Sequence, residues 1–532
     1  MNPMQSRHRW LGLVVLTLGV SIIIVDATVV NVAIPTIIRD LDLGAADAEW
    51  MNTIYSLVFA ALLITVGRLG DLFGRRRLFI AGVVVFVLAS VWAARAGGPA
   101  DLITARLVQG VGGAMILPST LSSVNAMFRG KERAIAFGVW GSVIGGMAAR
   151  GPLVGGWLTT DHSWRWIFYI NVPVGIIAVV GAVLLVPETR DEHAERGFDL
   201  PGVLTSALGL GGVVFALIEG QRYGWWEPTA TFSAFGTHWP FDGLSVVAVS
   251  FGLGIVLLAV FVVVEIRRGR AGKSVVVDLS MFEIPSFLNG NIAAMMVSLG
   301  EMGLLFSLPL FIQSVLGYSA LGTGLVFVAL ASGAFVAGGL AAHLAGRYGA
   351  RRVVVLGFAI EVISLAVLAA TLSIDSTGWS LSWPLFFYGL GLGLATAQLT
   401  SAILIDIPPR QSGQASGLQS TFRQVGSALG IAILGTMLVV GLGTRTEARL
   451  SDFDTIPDEA RSAITSIVRA SAGAALPGIR EMPDSAEIVA AIEDSYVESA
   501  RIVISAAALF ILGGLGAAFR LPRRTAAYDE HS

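Results

Sequence analysis

The sequence predicts an all-α integral membrane protein, built as two six-helix bundles with two extra helices inserted between them, fourteen spans in all. Three observations predict it. Hydrophobic residues make up 55% of the 532 and charged residues only 14%, with a mean hydropathy of +0.75. That is too little polar surface for a soluble protein of this size. The apolar residues fall into runs of about 20, the length that crosses a bilayer at about 1.5 Å per residue. And the chain repeats itself: "GRLGDLFGRRR" (Gly67 to Arg77) aligns with "AHLAGRYGARR" (Ala342 to Arg352) at an offset of 275 positions. Parallel halves of this kind are a transporter architecture, with a substrate site between them near the midplane.

The first six spans centre near residues 10–37, 50–70, 78–97, 101–125, 134–157 and 166–186. The inserted pair lies near 201–219 and 243–265, because the repeat offset exceeds six helices by about two spans. The second bundle follows at 287–313, 321–342, 352–372, 384–405, 413–441 and 500–520. The expected division is therefore 1–190, 191–279 and 280–532. The first span follows Arg7 to Arg9, as a signal peptide would, but it is too long and lacks a small-residue cleavage site, so it reads as an uncleaved anchor. Basic clusters at Arg75 to Arg77, at Arg129, Lys131 and Arg133, and at Arg267, Arg268, Arg270 and Lys273 share the side of the N-terminus. So do Arg347, Arg351 and Arg352, and Arg520, Arg523 and Arg524. The opposite loops are poor in Lys and Arg, which makes both termini cytoplasmic and the protein a multi-pass protein of the cell inner or plasma membrane. One polar segment, 443–498, breaks the rhythm on the outer side. Its amphipathic pattern from Asp458 to Gly473 reads as a helix on or near the membrane face, or as a loop without a role.

Composition also excludes. The net charge of −2 offers no nucleic-acid surface. There is no cysteine, and the six histidines form no pair at metal-ligand spacing, so no metal and no cofactor is expected. "GRAGKS" (Gly269 to Ser274) imitates the end of a phosphate-binding loop, but Arg267 holds the required first glycine position and the segment joins two spans. No nucleotide is expected, no enzyme chemistry is encoded, and a pump of this kind draws on an ion gradient.

Charge within the spans marks the candidate sites. Asp26 is the only charged residue from Trp10 to Ile38, although an ionised acid at the bilayer centre costs about 2.5–3.5 kcal/mol or more. Arg106 lies in the fourth span and needs a carboxylate, carbonyl or water. Subtracting the repeat offset from Glu301 lands on Asp26, so both acids are expected to line one central cavity as a coupled pair, or else Glu301 hydrogen-bonds to a neighbouring helix. Glu361, in the eleventh span, either satisfies a neighbour or has a function. Asp71 sits where a helix meets a basic loop. It either pairs with Arg75 or a helix end and latches one conformation, or is a solvated loop acid.

"GRLGDLFGRRR", carrying Gly67, Asp71, Gly74 and Arg75, resembles the cytoplasmic loop signature of the major facilitator superfamily. "ARLVQGVGGA" (Ala105 to Ala114) resembles its fourth-helix motif, and "VDATVVNVAIP" (Val25 to Pro35) the first-helix motif of drug:proton antiporters. "GPLVGG", with Gly151, Pro152, Gly155 and Gly156, resembles the fifth-helix motif associated with antiport. "SWRWIFYINVPVG" (Ser163 to Gly175), "FDLPG" (Phe198 to Gly202) and "LIEGQRYGW" (Leu217 to Trp225) resemble the fourteen-helix EmrB/QacA-type branch. The resemblance implies the major facilitator fold, small-molecule export and proton coupling at Asp26. Two positions depart from the pattern: Arg150, just before "GP", stands where the family usually has an apolar or small residue, and Met147 replaces the motif's earlier glycine. An arginine there must snorkel, pair or face water.

The reading is a proton-coupled exporter of lipophilic, cationic drugs or dyes, with the small molecule, protons and the lipid bilayer as partners. A carboxyl shielded from water favours its neutral form; a cationic substrate would displace that proton. One charge crossing about 100 mV is worth about 2.3 kcal/mol. A dedicated exporter of an endogenous metabolite, antibiotic or lipid would use the same machinery; a receptor or structural protein fits the repeat and the buried charges less well. Reporter fusions at the two ends are expected to be active on the cytoplasmic side only. Outer-side activity at either end would contradict the assigned topology.

Overall fold

The computed structural model describes residues 3–41, 45–190, 199–234, 237–241, 243–408, 411–453, 456–483 and 485–522. The first bundle is made of α1 (Pro3–Leu41), α2 (Ala45–Phe73), α3 (Arg75–Ala94), α4 (Pro99–Met127) and α5 (Gly130–Asp161), completed by the short α6 (Trp166–Tyr169) and by α7 (Asn171–Leu185). Next come α8 (Leu200–Tyr223) and α9 (Val246–Arg270), joined through two paired two-residue strands, Ser233–Ala234 and Thr237–His238. The second bundle is α10 (Pro285–Ser314), α11 (Ala320–Tyr348), α12 (Ala350–Thr371), α13 (Gly378–Ile403), α14 (Ser412–Ser451) and α17 (Ala486–Ala518). The short α15 (Asp458–Ala470) and α16 (Leu476–Arg480) lie between the last two. Among the described residues, 13 helical segments are long and apolar enough to cross a membrane. To these α5 adds a further helix of 32 residues, packed on α1, α11 and α13.

Polar residues start several of these helices. Asp199 accepts from the Gly202 amide at 2.9 Å to cap α8, Ser245 accepts from Val247 to cap α9, and Thr377 with Ser380 forms a reciprocal capping box on α13. Each satisfies amides that a helix leaves unpaired at its first turn. Close crossings rely on small residues. A Cβ at Gly112 of α4 would stand 2.7 Å from the Phe86 amide nitrogen and 2.9 Å from the Gly82 carbonyl oxygen of α3, so only glycine lets these backbones meet.

The two bundles meet along α2 and α14, and along α5 with α11 and α13; α4 also reaches α14. The inserted α8 packs on α2 from one bundle and α14 from the other, with α9 behind it. On the face that carries the basic clusters, Arg9 at the start of α1 donates to the Met127 carbonyl at the end of α4.

Two expectations are corrected. The polar segment 443–498 is not one long loop: α14 runs on to Ser451 and α17 begins at Ala486. Hydropathy ends where the bilayer ends, whereas these helices continue beyond it, tied by ion pairs of Arg445 and Arg449 with Glu498 at 3.2 and 3.1 Å. The amphipathic helix is present as α15, but it rests on α14, with Val468 fully buried. Its neighbour α16 is fixed by Arg480, which pairs with Glu493 at 2.6 Å and donates to the Val315 carbonyl beyond α10. Outside the membrane on α1, Asp40 accepts from Trp164 and Arg165, and these bonds, Trp164 first, hold its carboxyl below the ordinary range.

Gly112→Ala is expected to lower the thermal unfolding midpoint in detergent, at a cost of about 1–3 kcal/mol for a methyl forced into a filled crossing. An unchanged midpoint would contradict the contact of α3 with α4.

Candidate functional site

Asp26 lies in the middle of α1 with its side chain wholly enclosed, and α4 supplies its partner. Arg106 Nη1 stands 2.5 Å from Asp26 Oδ2, and both side chains are fully buried. Two turns of α4 around "ARLVQG" put Gln109 on the same face one turn after Arg106. Gln109 Nε2 donates to Asp26 Oδ1 at 2.8 Å and to Ser90 Oγ of α3 at 2.9 Å, while its Oε1 accepts from Arg106 at 2.6 Å. Asn171 at the start of α7 donates to Ser90 at 3.1 Å and more weakly to Asp26 at 3.4 Å. Arg106 Nε donates to the Met51 carbonyl, and the guanidinium stacks over Tyr55 at 4.4 Å. Arg106 Nη2 is buried without a hydrogen-bond partner among the described residues. The expectation that Arg106 is buried and paired thus matches the geometry, and Asp26 is its partner.

The fifth-helix glycines press on the same helix. A Cβ at Gly155 would sit 3.0–3.2 Å from Val29 atoms of α1, and one at Gly151 would collide with Thr28. Gly156 is half-buried. The side chains of Arg150 and Pro152 lie outside the described residues.

Asp71, fully buried at the end of α2, gathers a second cluster. Its Oδ1 accepts from Arg75 Nη2 at 2.6 Å and from the Gly413 amide at 2.9 Å, and its Oδ2 from the Gln414 amide at 2.9 Å. Those amides open α14, where a helix presents unpaired N–H groups and a positive dipole end. Asp71 therefore joins the two bundles on the basic face, and the solvated-acid reading falls. A Cβ at Gly67 would press on the Gly413 carbonyl, with Gly417 Cα at 3.1 Å, so the glycine lets α2 and α14 close. Gly74 turns the chain at φ 108° and Gly349 repeats the turn at φ 85°, a region that favours glycine. At the two polar positions the repeat fails: Gly346 and Ala350 replace Asp71 and Arg75.

Sequence reasoning missed the supports of this junction. Glu188 accepts from the Arg76 and Arg77 amides and so caps α3. Gln414 accepts from the Asp278 amide, Gln411 donates to the Asp278 carboxylate, and Asn125 of α4 donates to Ser412 at 2.9 Å. These residues sit at ordinary-looking helix ends, where single-sequence patterns carry no signal. Asn171 falls inside "SWRWIFYINVPVG" and was within reach.

Glu301 is half-buried on α10 in the second bundle, within electrostatic reach of Arg423 of α14 and Glu361 of α12. The expected common cavity of Asp26 and Glu301 is not seen among the described residues, where each acid has its own neighbours. The partners of Asp26 all come from the first bundle, and the charges facing Glu301 come from the second. The repeat places both acids on the first helix of a half, and each has charged neighbours from its own half. A separate apolar cavity of about 690 Å³ lies between α8, α14 and α17, lined by residues such as Leu217, Trp225, Met437 and Ile502. None of the candidate acids lines it.

Residues 16–431 match the family model described as Major Facilitator Superfamily. The chain is 34% identical over 468 residues to puromycin resistance protein pur8 of Streptomyces alboniger, covering 85% of each chain. It is 31% identical over 511 residues to multidrug resistance protein Stp of Mycobacterium tuberculosis, covering 94% of this chain and 89% of the relative. The solved structure of the human organic anion transporter MFSD10 superposes with a TM-score of 0.60 over 97% of this chain and 100% of that one; at 11% identity this is a likeness of fold alone.

Arg106→Ala would leave Asp26 buried without its counter-charge and is expected to cost about 3–5 kcal/mol in detergent unfolding. Arg106→Lys, which keeps the charge but not the planar fork, should recover part of it. The double variant Asp26→Asn with Arg106→Ala should be less destabilised than the sum of the two single changes. Strict additivity would contradict the pair.

Proposed function

Because the chain belongs to the Major Facilitator Superfamily, and is a transporter rather than an enzyme, we propose that it exports lipophilic cations such as drugs or dyes in exchange for protons. The observation that carries the reading is the buried Asp26–Arg106 pair. An acid on the first helix is held inside the first bundle by one counter-charge, Arg106, beside the neutral donors Gln109 and Asn171. A proton on Asp26 would neutralise the carboxylate and release Arg106; a cation approaching Asp26 would compete with Arg106 for the ionised form. Proton and cation are thereby alternatives at one group, which is the requirement for exchange. The relatives named for puromycin resistance and multidrug resistance support export of lipophilic compounds.

The Asp71 contact with the start of α14 holds the basic face closed. Under the positive-inside rule that face is cytoplasmic, so substrate entry from the inner side requires this contact to break. In this reading 1–190 and 280–532 move as the two bundles, with 191–279 as the inserted pair, Arg75 and Asp71 as the latch, and the glycines of "GPLVGG" as the close packing behind α1. The relative named for a single antibiotic favours a second reading, a dedicated exporter of one metabolite or antibiotic through the same exchange.

Inverted membrane vesicles energised by a pH gradient and offered a panel of cationic and neutral dyes test both. The parent is expected to accumulate several cationic dyes and to lose them when the gradient is collapsed. Asp26→Asn, inserted to the same level, should fall to the level of vesicles lacking the protein. Gradient-driven uptake by Asp26→Asn equal to the parent would overturn the proton role, and uptake of no dye would favour the dedicated exporter.

A further inference from the structure

Glu361 stands apart from the other buried acids in how its oxygens are used. Asp26 and Asp71 hand theirs to arginine, amide and helix N–H donors. Glu361 is 0% exposed, and among the described residues both of its carboxyl oxygens lack a hydrogen-bond partner. It lies on α12 against α13, where a Cβ at Gly391 would come within 2.8 Å of its Cγ. Glycine at that position makes the space the side chain fills. One turn earlier on α13, Tyr388 is 1% exposed and its hydroxyl is also unpartnered, within reach of both Glu361 and Glu301. From α10 comes Glu301 and from α14 comes Arg423; α11 and α17, also packed against α12, add no further charge at Glu361.

We propose that the second bundle holds a proton-binding site of its own, in which Glu361 carries the proton, Glu301 is the acid through which it is exchanged, and Arg423 is the shared counter-charge. Charge counting supports it. With both acids ionised and Arg423 charged, the cluster is net negative in an interior that tolerates isolated charge poorly. With one proton bound it is neutral. The proton belongs on Glu361, because Glu301 has the greater exposure while Glu361 is fully buried and, among the described residues, neither of its oxygens has a donor. A scaffold role would be served by glutamine or by an apolar residue, and would not leave two carboxyl oxygens and a nearby phenol hydroxyl buried without partners among the described residues.

The site deepens the export reading and rests on it for its consequence. A cation held at Glu301 displaces Arg423 and leaves the cluster net positive. The O–H bond of Glu361 then breaks, the proton leaves by the less buried Glu301 side, and the new carboxylate pairs with Arg423. One charge enters and one leaves, so the cluster is neutral before and after.

The first arm of the test needs no transport. Infrared difference spectra of the reconstituted full-length protein at neutral pH are expected to show a protonated-carboxyl C=O band. That band should be lost in Glu361→Gln and kept in Asp26→Asn. A parent without the band, or a band unchanged in Glu361→Gln, overturns the site. If the glutamine variant does not accumulate, Glu361→Asp keeps the acid and must shift the band; an unmoved band overturns the site equally. In the second arm ethidium is added to detergent-solubilised protein in weak buffer with a pH-sensitive dye. Glu361→Gln should release about one proton fewer per ethidium bound than the parent, and equal release overturns the coupling to Glu361. A parent that releases no proton on binding ethidium but keeps the infrared band refutes the exchange reading and leaves the proton site standing.

Discussion

Charge inside a bilayer-spanning bundle has to be answered within reach of a single side chain, and the Asp26–Arg106 pair is where this protein meets that constraint. Two unit charges at about 4 Å attract by about 4 kcal/mol at the effective dielectric of a protein. Removing both from water costs several kcal/mol for each ion. Coulomb attraction alone therefore loses. The pair survives because Gln109, Asn171 and the Met51 carbonyl supply further hydrogen bonds, and because Tyr55 lies under the guanidinium. Those groups come from α2, α4 and α7, and Ser90 of α3 bridges two of them. The packing of the first bundle around α1 is accordingly the structure this one pair requires.

The basic face solves the same problem by another route. Asp71 is answered by Arg75 from its own bundle and by the first amides of α14, so two of its hydrogen bonds depend on the two bundles being together. Opening that face strips the carboxylate of two donors at once. Helix α4 touches both clusters: Arg106 near one end pairs with Asp26, and Asn125 near the other bonds to Ser412 at the start of α14. Pro118 lies between them, removing a backbone hydrogen bond at a point where the helix can bend. A change in the charge of Asp26 thus acts on a helix whose far end touches the junction between the bundles. Only the first copy of the repeat carries a charged contact of this kind, since Gly346 and Ala350 leave the second copy with the turn and without the charges.

The helices were legible because bilayer length and apolar composition are properties of single segments, and the repeat was legible because its glycines and arginines keep their spacing. Arg106 and Asp71 were legible as charges needing partners. Their partners were less so. Asp26 and Arg106 are 80 positions apart and Asp71 is more than 340 from Gln414, and no periodicity within a helix links residues across a bundle. Ends were read short at α14 and α17 because hydropathy reports the bilayer, whereas Arg445, Arg449 and Glu498 carry the helices past it. The common cavity of Asp26 and Glu301 was drawn from the repeat offset alone. The offset aligns positions along the chain, but the direction an acid faces is set by the neighbours its own bundle supplies, which for Glu301 are Arg423 and Glu361.

The central claim is that Asp26 links proton and substrate rather than merely holding α1 in place. Proteoliposomes separate these roles by measuring two fluxes in one preparation: exchange of labelled for unlabelled neutral dye at equal pH, which needs no carboxylate partner, and cationic-dye uptake driven by an imposed pH gradient. Exchange needs the bundles to move and the substrate to bind but needs no net proton transfer. Asp26→Asn is predicted to retain exchange and to lose gradient-driven uptake. Gradient-driven uptake that survives in Asp26→Asn, or loss of both fluxes in a variant that is correctly inserted and folded, would contradict the claim.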